Sequence, residues 1–109
     1  MLQTESDVFA ALGDETRLSL VTLLSDGTAR RITELAAPTS ISRQAVSKHL
    51  KILEHAGLVA AQRVGRETRY RLKPETLSDA QSYLAALSEH WDRALMRLHA
   101  HVEENTNEG

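Results

Sequence analysis

The sequence predicts a mainly α-helical domain with one small β-hairpin, in the order ααααββα, ending in a long C-terminal helix. Three observations predict it. Apolar residues recur at three- and four-residue spacing as far as residue 56, the pattern alternates between residues 58 and 72, and a much longer helical seam runs from Leu77 to Val102. A period near 3.6 buries one stripe of a helix, and a period of 2 buries one face of a strand. At 109 residues the chain has the length of one domain, so residues 1–109 are read as a single unit. With 41 % hydrophobic residues but few aromatics its core is modest, and a second copy would add useful buried area.

Residues 1–29 hold two helices. Glu5 to Leu12 puts Val8, Phe9 and Leu12 on one side and stops at Gly13. Asp14 can cap the next helix, in which Leu18, Val21 and Leu24 share a face before Asp26-Gly27 ends it. Residues 30–57 then read as a short helix, a tight turn and a longer helix. Thr33 caps Glu34 to Ala37, which Pro38 limits because the residue before a proline leaves helical geometry. After Thr39-Ser40-Ile41, Ser42 caps a helix to about Ala56. Its Val46, Leu50 and Leu53 face one way, and Gly57 takes the left-handed position that closes a helix. This succession is the helix-turn-helix pattern.

Residues 58–73 follow as a hairpin, with strands Leu58 to Val64 and Thr68 to Leu72 around Gly65-Arg66-Glu67. Thr68, Tyr70 and Leu72 alternate with Arg69 and Arg71, giving one packed and one cationic face. A hairpin directly after the second helix of a helix-turn-helix makes a wing. The last helix covers residues 74–104, before a polar tail at 105–109. Its Leu77, Ala80, Leu84, Leu87, Trp91, Leu95, Leu98 and Val102 are spaced 3, 4, 3, 4, 4, 3, 4, a coiled-coil-like seam. About 28 residues at roughly 1.5 Å each make a rod of about 42 Å, longer than one small globule covers. The excess length, with Tyr83, Ala94 and Met96 beside the seam, calls for a partner helix, and an identical chain is the simplest partner. Leu84, Leu87, Trp91, Leu95 and Leu98, with Val8 of the first helix, are the expected dimer residues.

Charge narrows the function. The net charge is −2, but residues 1–29 carry −4, residues 30–73 carry +7 from ten Lys or Arg against three acids, and residues 74–109 carry −5. A basic block between acidic flanks is the electrostatic footprint of a phosphate backbone. With Val46, Leu50 and Leu53 inward, the longer helix leaves Arg43, Gln44, Ser47, Lys48 and Lys51 outward, behind the capping Ser42. In this motif the N-terminal end of the second helix enters the major groove. There the Gln44 amide can pair bidentately with adenine, and Arg43 suits guanine or phosphate. Ser47 is small enough for close approach, and Lys48 and Lys51 suit phosphates. His49 borders the buried face and is expected to hydrogen-bond backbone. In the wing Arg63, Arg66, Arg69 and Arg71 supply cations, with Arg66 at the tip; Arg69 or Arg71 can pair instead with Glu67 or Glu54.

Asp14-Glu15-Thr16-Arg17-Leu18, Ser42-Arg43-Gln44-Ala45-Val46-Ser47-Lys48-His49-Leu50, Ala56-Gly57-Leu58-Val59, Gly65-Arg66 and Tyr70-Arg71-Leu72 together resemble the ArsR/SmtB-type winged-helix repressors. The resemblance covers roughly residues 8 to 73. It implies a homodimeric transcriptional repressor on a twofold-symmetric double-stranded DNA operator, usually near its own promoter. Relatives with a metal site on the short helix carry a Cys-x-Cys pair, whereas Glu34-Leu35-Ala36-Ala37-Pro38 has no thiol. A second family site lies on the last helix as Asp-x-His, ten residues, then His-x-x-Glu. His90, His101 and Glu104 reproduce its spacing, but about four turns later than the family's register, whose first ligand falls near Pro74. No metal or other cofactor is therefore expected. A small molecule or a protein remains open as the effector.

The chain has no cysteine, which removes disulfides and thiol nucleophiles. It has no apolar run for a membrane and no secretory start, so a cytoplasmic protein is expected. Ser47 and His49, two residues apart on a helix, point in different directions, and no phosphate loop or carboxylate pair appears; an enzyme is not expected. The alternative within the same fold is a protein- or RNA-interaction module.

Overall fold

The computed structural model describes the backbone of residues 4–107 and the side chains of residues 4–102. Its elements are α1 (Glu5–Leu12), α2 (Glu15–Leu23), β1 (Arg30–Arg31), α3 (Ile32–Ala36), α4 (Arg43–His55), β2 (Val59–Val64), β3 (Glu67–Leu72) and α5 (Pro74–Asn107). They fall into two compact units, divided between Ser78 and Asp79. The architecture is the winged helix-turn-helix with a long C-terminal helix that the sequence predicts.

In the first unit, local chemistry sets the helix ends. Thr4 Oγ1 accepts from the Asp7 amide at 3.2 Å while the Asp7 carboxylate accepts from the Thr4 amide at 3.4 Å, so α1 begins with two orphan donors satisfied. Asp14 starts α2 by accepting from the Arg17 amide at 3.1 Å, and Ser42 starts α4 by accepting from the Ala45 amide at 3.2 Å. Gly57, at φ 81°, closes α4. Its amide donates to Glu54 O at 3.0 Å and that of Leu58 to Leu53 O at 2.9 Å, the paired bonds of a Schellman end.

The core of this unit is Leu20, Leu24, Leu35, Val46, Leu50, Leu53, Leu58 and Val59, with Val8, Ala11, Val21 and Tyr70 around them, all buried. Two expectations change here. Leu18 is 51 % exposed and Leu20 fully buried, because the buried stripe of α2 is centred on Leu20, Val21 and Leu24 and Leu18 falls outside it. Helix α3 starts after Arg31, not at Thr33. The Glu34 carboxylate accepts from the Arg31 amide at 3.3 Å and from Arg31 Nε at 3.0 Å, pulling the first turn back.

The hairpin gains a third strand. β1 pairs antiparallel with β3, Arg30 opposite Tyr70 and Arg31 opposite Arg69, giving the sheet order β1-β3-β2. Between β2 and β3 the register runs from Val59 opposite Leu72 to Val64 opposite Glu67. Glu67 therefore opens β3, and the turn is the two residues Gly65-Arg66. Gly65 has φ 63° and Arg66 does not have positive φ, the pattern of a type II′ turn, which matches the twist of the strands.

The second unit is the body of α5. No Gly or Pro interrupts residues 75–108, and the helix runs to Asn107, past the expected end at Glu104. Residues 105–107 of the expected polar tail are thus helical, and residues 108–109 lie outside the described residues. At 34 residues, α5 is about 51 Å long. Tyr83, Leu84, Leu87, Trp91, Leu95, Leu98 and Val102 are all exposed along one stripe. Met96, expected beside the seam, lies about 140° round the helix from Trp91.

Candidate nucleic-acid interface

Helix α4 is held from behind by Val46, Leu50 and Leu53, each at 0 % exposure. With that face fixed, Arg43, Gln44, Lys48 and Lys51 stand exposed and Ser47 half-buried, so the outward set expected from the sequence shares one side. Ser42 is exposed beside them, its oxygen engaged in the cap. The loop before α4 is tied down by Thr39, whose amide and hydroxyl both donate to Ala36 O, at 2.9 and 2.8 Å.

Among the described residues His49 meets side chains and no backbone atom. Its Nδ1 lies 3.4 Å from Arg17 Nη1 and 3.8 Å from Asp14 Oδ2. A guanidinium only donates, so in the contact with Arg17 the Nδ1 atom is the acceptor. Arg17 also donates from Nε to Ala11 O at 2.7 Å, in the last turn of α1, and from Nη2 at 3.3 Å to Ala10 O, which accepts from the Gly13 amide as well. One guanidinium thus joins the end of α1, the start of α2 and α4. The Arg17 amide hydrogen bond, reinforced by the Arg17 charge, holds the Asp14 carboxyl below its ordinary value. Sequence reasoning missed this role of Arg17; the Asp14-x-x-Arg17 spacing was the only local signal.

In the wing, Arg66 stands exposed at the tip, and Arg63 folds its Nε toward Gly65 O at 3.4 Å. Arg69 is placed differently. It is half-buried and its Nη2 lies 3.3 Å from Glu67 Oε2, while Arg31 Nη1 lies 3.0 Å from Glu67 Oε1. The Arg31 hydrogen bond, then that from Arg69, holds the Glu67 carboxyl below the usual range. The structure therefore brings together the α4 set and, on the wing, Arg63 and Arg66, while it pairs Arg69 with an acid. Arg31, absent from the sequence-based candidates, joins that pair across β1.

Residues 14–61, which span α2 through the first half of β2, match the family model of bacterial regulatory proteins of the arsR family. An ArsR-like transcriptional regulator from Rhodococcus sp. RHA1 is 40 % identical, with a TM-score of 0.76 over 86 % of this chain and 88 % of that one. The chain belongs to the arsR family. It is thereby a DNA-binding transcription regulator, and its relatives are regulators, not enzymes. The arsenical resistance operon repressor of Escherichia coli is 36 % identical over 62 % of this chain and 57 % of its own length, so the chain spans little more than half of that relative. The homodimeric winged helix-turn-helix DNA-binding domain of Mb0332 from Mycobacterium bovis is 27 % identical, with a TM-score of 0.62 over 81 % of this chain and 82 % of that fragment.

The remaining candidates of this arsR-family chain separate by position. Leu84, Leu87, Trp91, Leu95 and Leu98 are between 39 % and 60 % exposed on α5, whereas Val8, at 4 %, is packed inside the first unit. His90 and His101 are eleven residues apart on one helix, about 16 Å along its axis, too far to share an ion within one chain. The side chain of Glu104 lies outside the described residues. Among the described residues no three metal-ligating side chains gather, and no helix is long and apolar enough to cross a membrane.

Proposed function

We propose that the chain is a cytoplasmic, homodimeric (auto)repressor that binds a twofold-symmetric operator, with α4 of each subunit in the major groove and the wing alongside. The observation that carries this is the row of exposed Arg43, Gln44, Lys48 and Lys51 with half-buried Ser47 among them, on a helix whose other face is fully buried. Gln44, close to the helix N-terminus, reads adenine. Lys48 and Lys51 contact phosphates, Arg43 takes guanine or phosphate, and Ser42 lies beside the backbone. Arg66 and Arg63 reach flanking phosphate or minor groove, joined by Arg69 where it leaves Glu67. The dimer forms through Leu84, Leu87, Trp91, Leu95 and Leu98, with α1 contributing through the neighbours of its buried Val8. The exposed stripe supports this, as does the homodimeric M. bovis domain. Half-sites are then about 34 Å apart, one turn of DNA or a multiple.

Repression is supported by the E. coli relative, which is a repressor. The effector, if the protein has one, is a small molecule or a protein rather than a metal. A gel shift with the chain's own upstream DNA tests the reading. A salt-sensitive shift, stronger than with a scrambled duplex, is expected. An absent or salt-insensitive shift would favour a protein- or RNA-interaction module on the same fold.

A further inference from the structure

We propose that Glu67 is a specificity-determining residue: held against Arg31 and Arg69, it stands in for a phosphate and withholds both cations from non-specific DNA. This rests on the DNA-binding reading above.

Arg31 and Arg69 are direct partners across β1 and β3, so their side chains share a face. Glu67, two residues along β3, shares it too, as does the exposed Arg71. Two guanidiniums directly opposite repel, and Glu67 relieves this by accepting from both, at 3.0 and 3.3 Å. Arg31 is further engaged by Glu34 at 3.0 Å. Glu67 adjoins the wing-tip Arg66, so the carboxylate sits where a flanking phosphate would have to approach.

Neither pair is permanent. The side chains of Arg31, Glu67 and Arg69 remain 42–45 % exposed, and exposed pairs of this kind are weak and screened by salt. Arg69 is also incompletely satisfied, because its Nε is buried without a hydrogen-bond partner among the described residues. A row of phosphates could recruit both arginines if the carboxylate were absent. On non-specific DNA the protein is free to turn toward whatever orientation gives most phosphate contacts, so freed arginines add fully. At a matched site the base contacts of α4 fix the orientation, and freed arginines gain only what that geometry allows. Glu67 therefore suppresses non-specific affinity more than specific affinity.

The test compares the full chain with Glu67→Gln, Arg31→Ala and the double variant, by fluorescence anisotropy over a salt series. The probes are a duplex of the chain's own upstream DNA and a scrambled duplex of equal length. Each added phosphate contact steepens the salt slope by about 0.9 and tightens binding roughly eightfold at ~0.1 M relative to ~1 M salt. Glu67→Gln is expected to tighten binding to scrambled DNA about five- to tenfold at ~0.1 M salt, to steepen its slope by about 1 to 2, and to narrow the preference for the upstream duplex. Arg31→Ala alone should leave the slope unchanged, since its cation is withheld already, and in the double variant it should cancel about half of the gain. Weaker binding of Glu67→Gln to both duplexes with an unchanged or shallower slope would overturn the proposal and leave Glu67 as a brace for the wing. If the unaltered chain binds its upstream DNA but the variant slope does not change, only this inference fails. If the unaltered chain binds neither duplex, the DNA reading fails and takes it along.

Discussion

Replacing Trp91 and Leu95 together by aspartate should convert the proposed dimer to a monomer. Trp91 keeps 59 % of its surface exposed in the single chain and Leu95 52 %, so a partner helix has about half of each side chain left to cover. Full burial of a large apolar side chain is worth about 1.5–3 kcal/mol, so covering half is worth about 1 kcal/mol. Two side chains, counted on both protomers of a symmetric dimer, lose about 4 kcal/mol, roughly a thousandfold in the dimer constant. Four carboxylates brought to an apolar seam add to that loss, because an unpaired buried charge costs several kcal/mol or forces the site open. Met96→Asp is the control: Met96 is 70 % exposed and lies off the stripe, so it should leave the dimer intact. Light scattering at micromolar concentration reads the outcome. A monomeric unaltered chain, or a double variant that remains dimeric, would exclude the α5 stripe as a dimer seam.

Leu50→Ala should destabilise the fold by about 2–5 kcal/mol, as expected for a fully buried leucine that leaves a cavity; urea unfolding with a loss below ~1 kcal/mol would mean that α4 is not anchored there. Acid should destabilise the protein. The folded-state carboxyls of Asp14, Asp26, Glu34 and Glu67 are all held below their ordinary values by hydrogen bonds and neighbouring cations. Their contribution is present above the unfolded pKa of about 4 and is lost as pH falls through the lower folded value. Tm should therefore drop as pH falls below ~4, with a shallower drop in Asp14→Asn; an identical acid limb in that variant would remove Asp14 from the account. Zn²⁺ should not alter affinity for the upstream DNA. A tenfold metal-dependent change abolished by His90→Ala or His101→Ala would show that the spacing of those residues marks a real site.

Helix α4 was legible because independent signals agree on it: Ser42 as cap, Val46, Leu50 and Leu53 at helical spacing, and Gly57 at the only left-handed position its end requires. The hairpin was legible from the alternation around Tyr70. β1 was not, since two residues carry no period, and Arg30-Arg31 becomes a strand only when β3 is alongside. Leu18 and Leu20 exchange roles because several apolar residues crowd α2 and only packing decides which of them face the core. The site divides in the same way. The outward face of α4 follows from its buried face, but the Arg17–His49 contact spans 32 residues and the Arg31–Glu67 pair 36. Pairings at such separation leave no local pattern. The sequence did admit Glu67 as a partner for Arg69, but it left Arg71 and Glu54 open as the alternatives.

In the proposed complex α4 reads DNA with Gln44 while Lys48 holds the backbone. Anisotropy titration of the unaltered chain, Gln44→Ala and Lys48→Ala against upstream and scrambled duplexes over a salt series tests it most directly. Gln44→Ala should lose about 1–3 kcal/mol on the upstream duplex alone, with its salt slope kept. Lys48→Ala should weaken both duplexes and flatten the slope by about one phosphate. Equal losses by both variants on both duplexes, with no change of slope, would contradict the account.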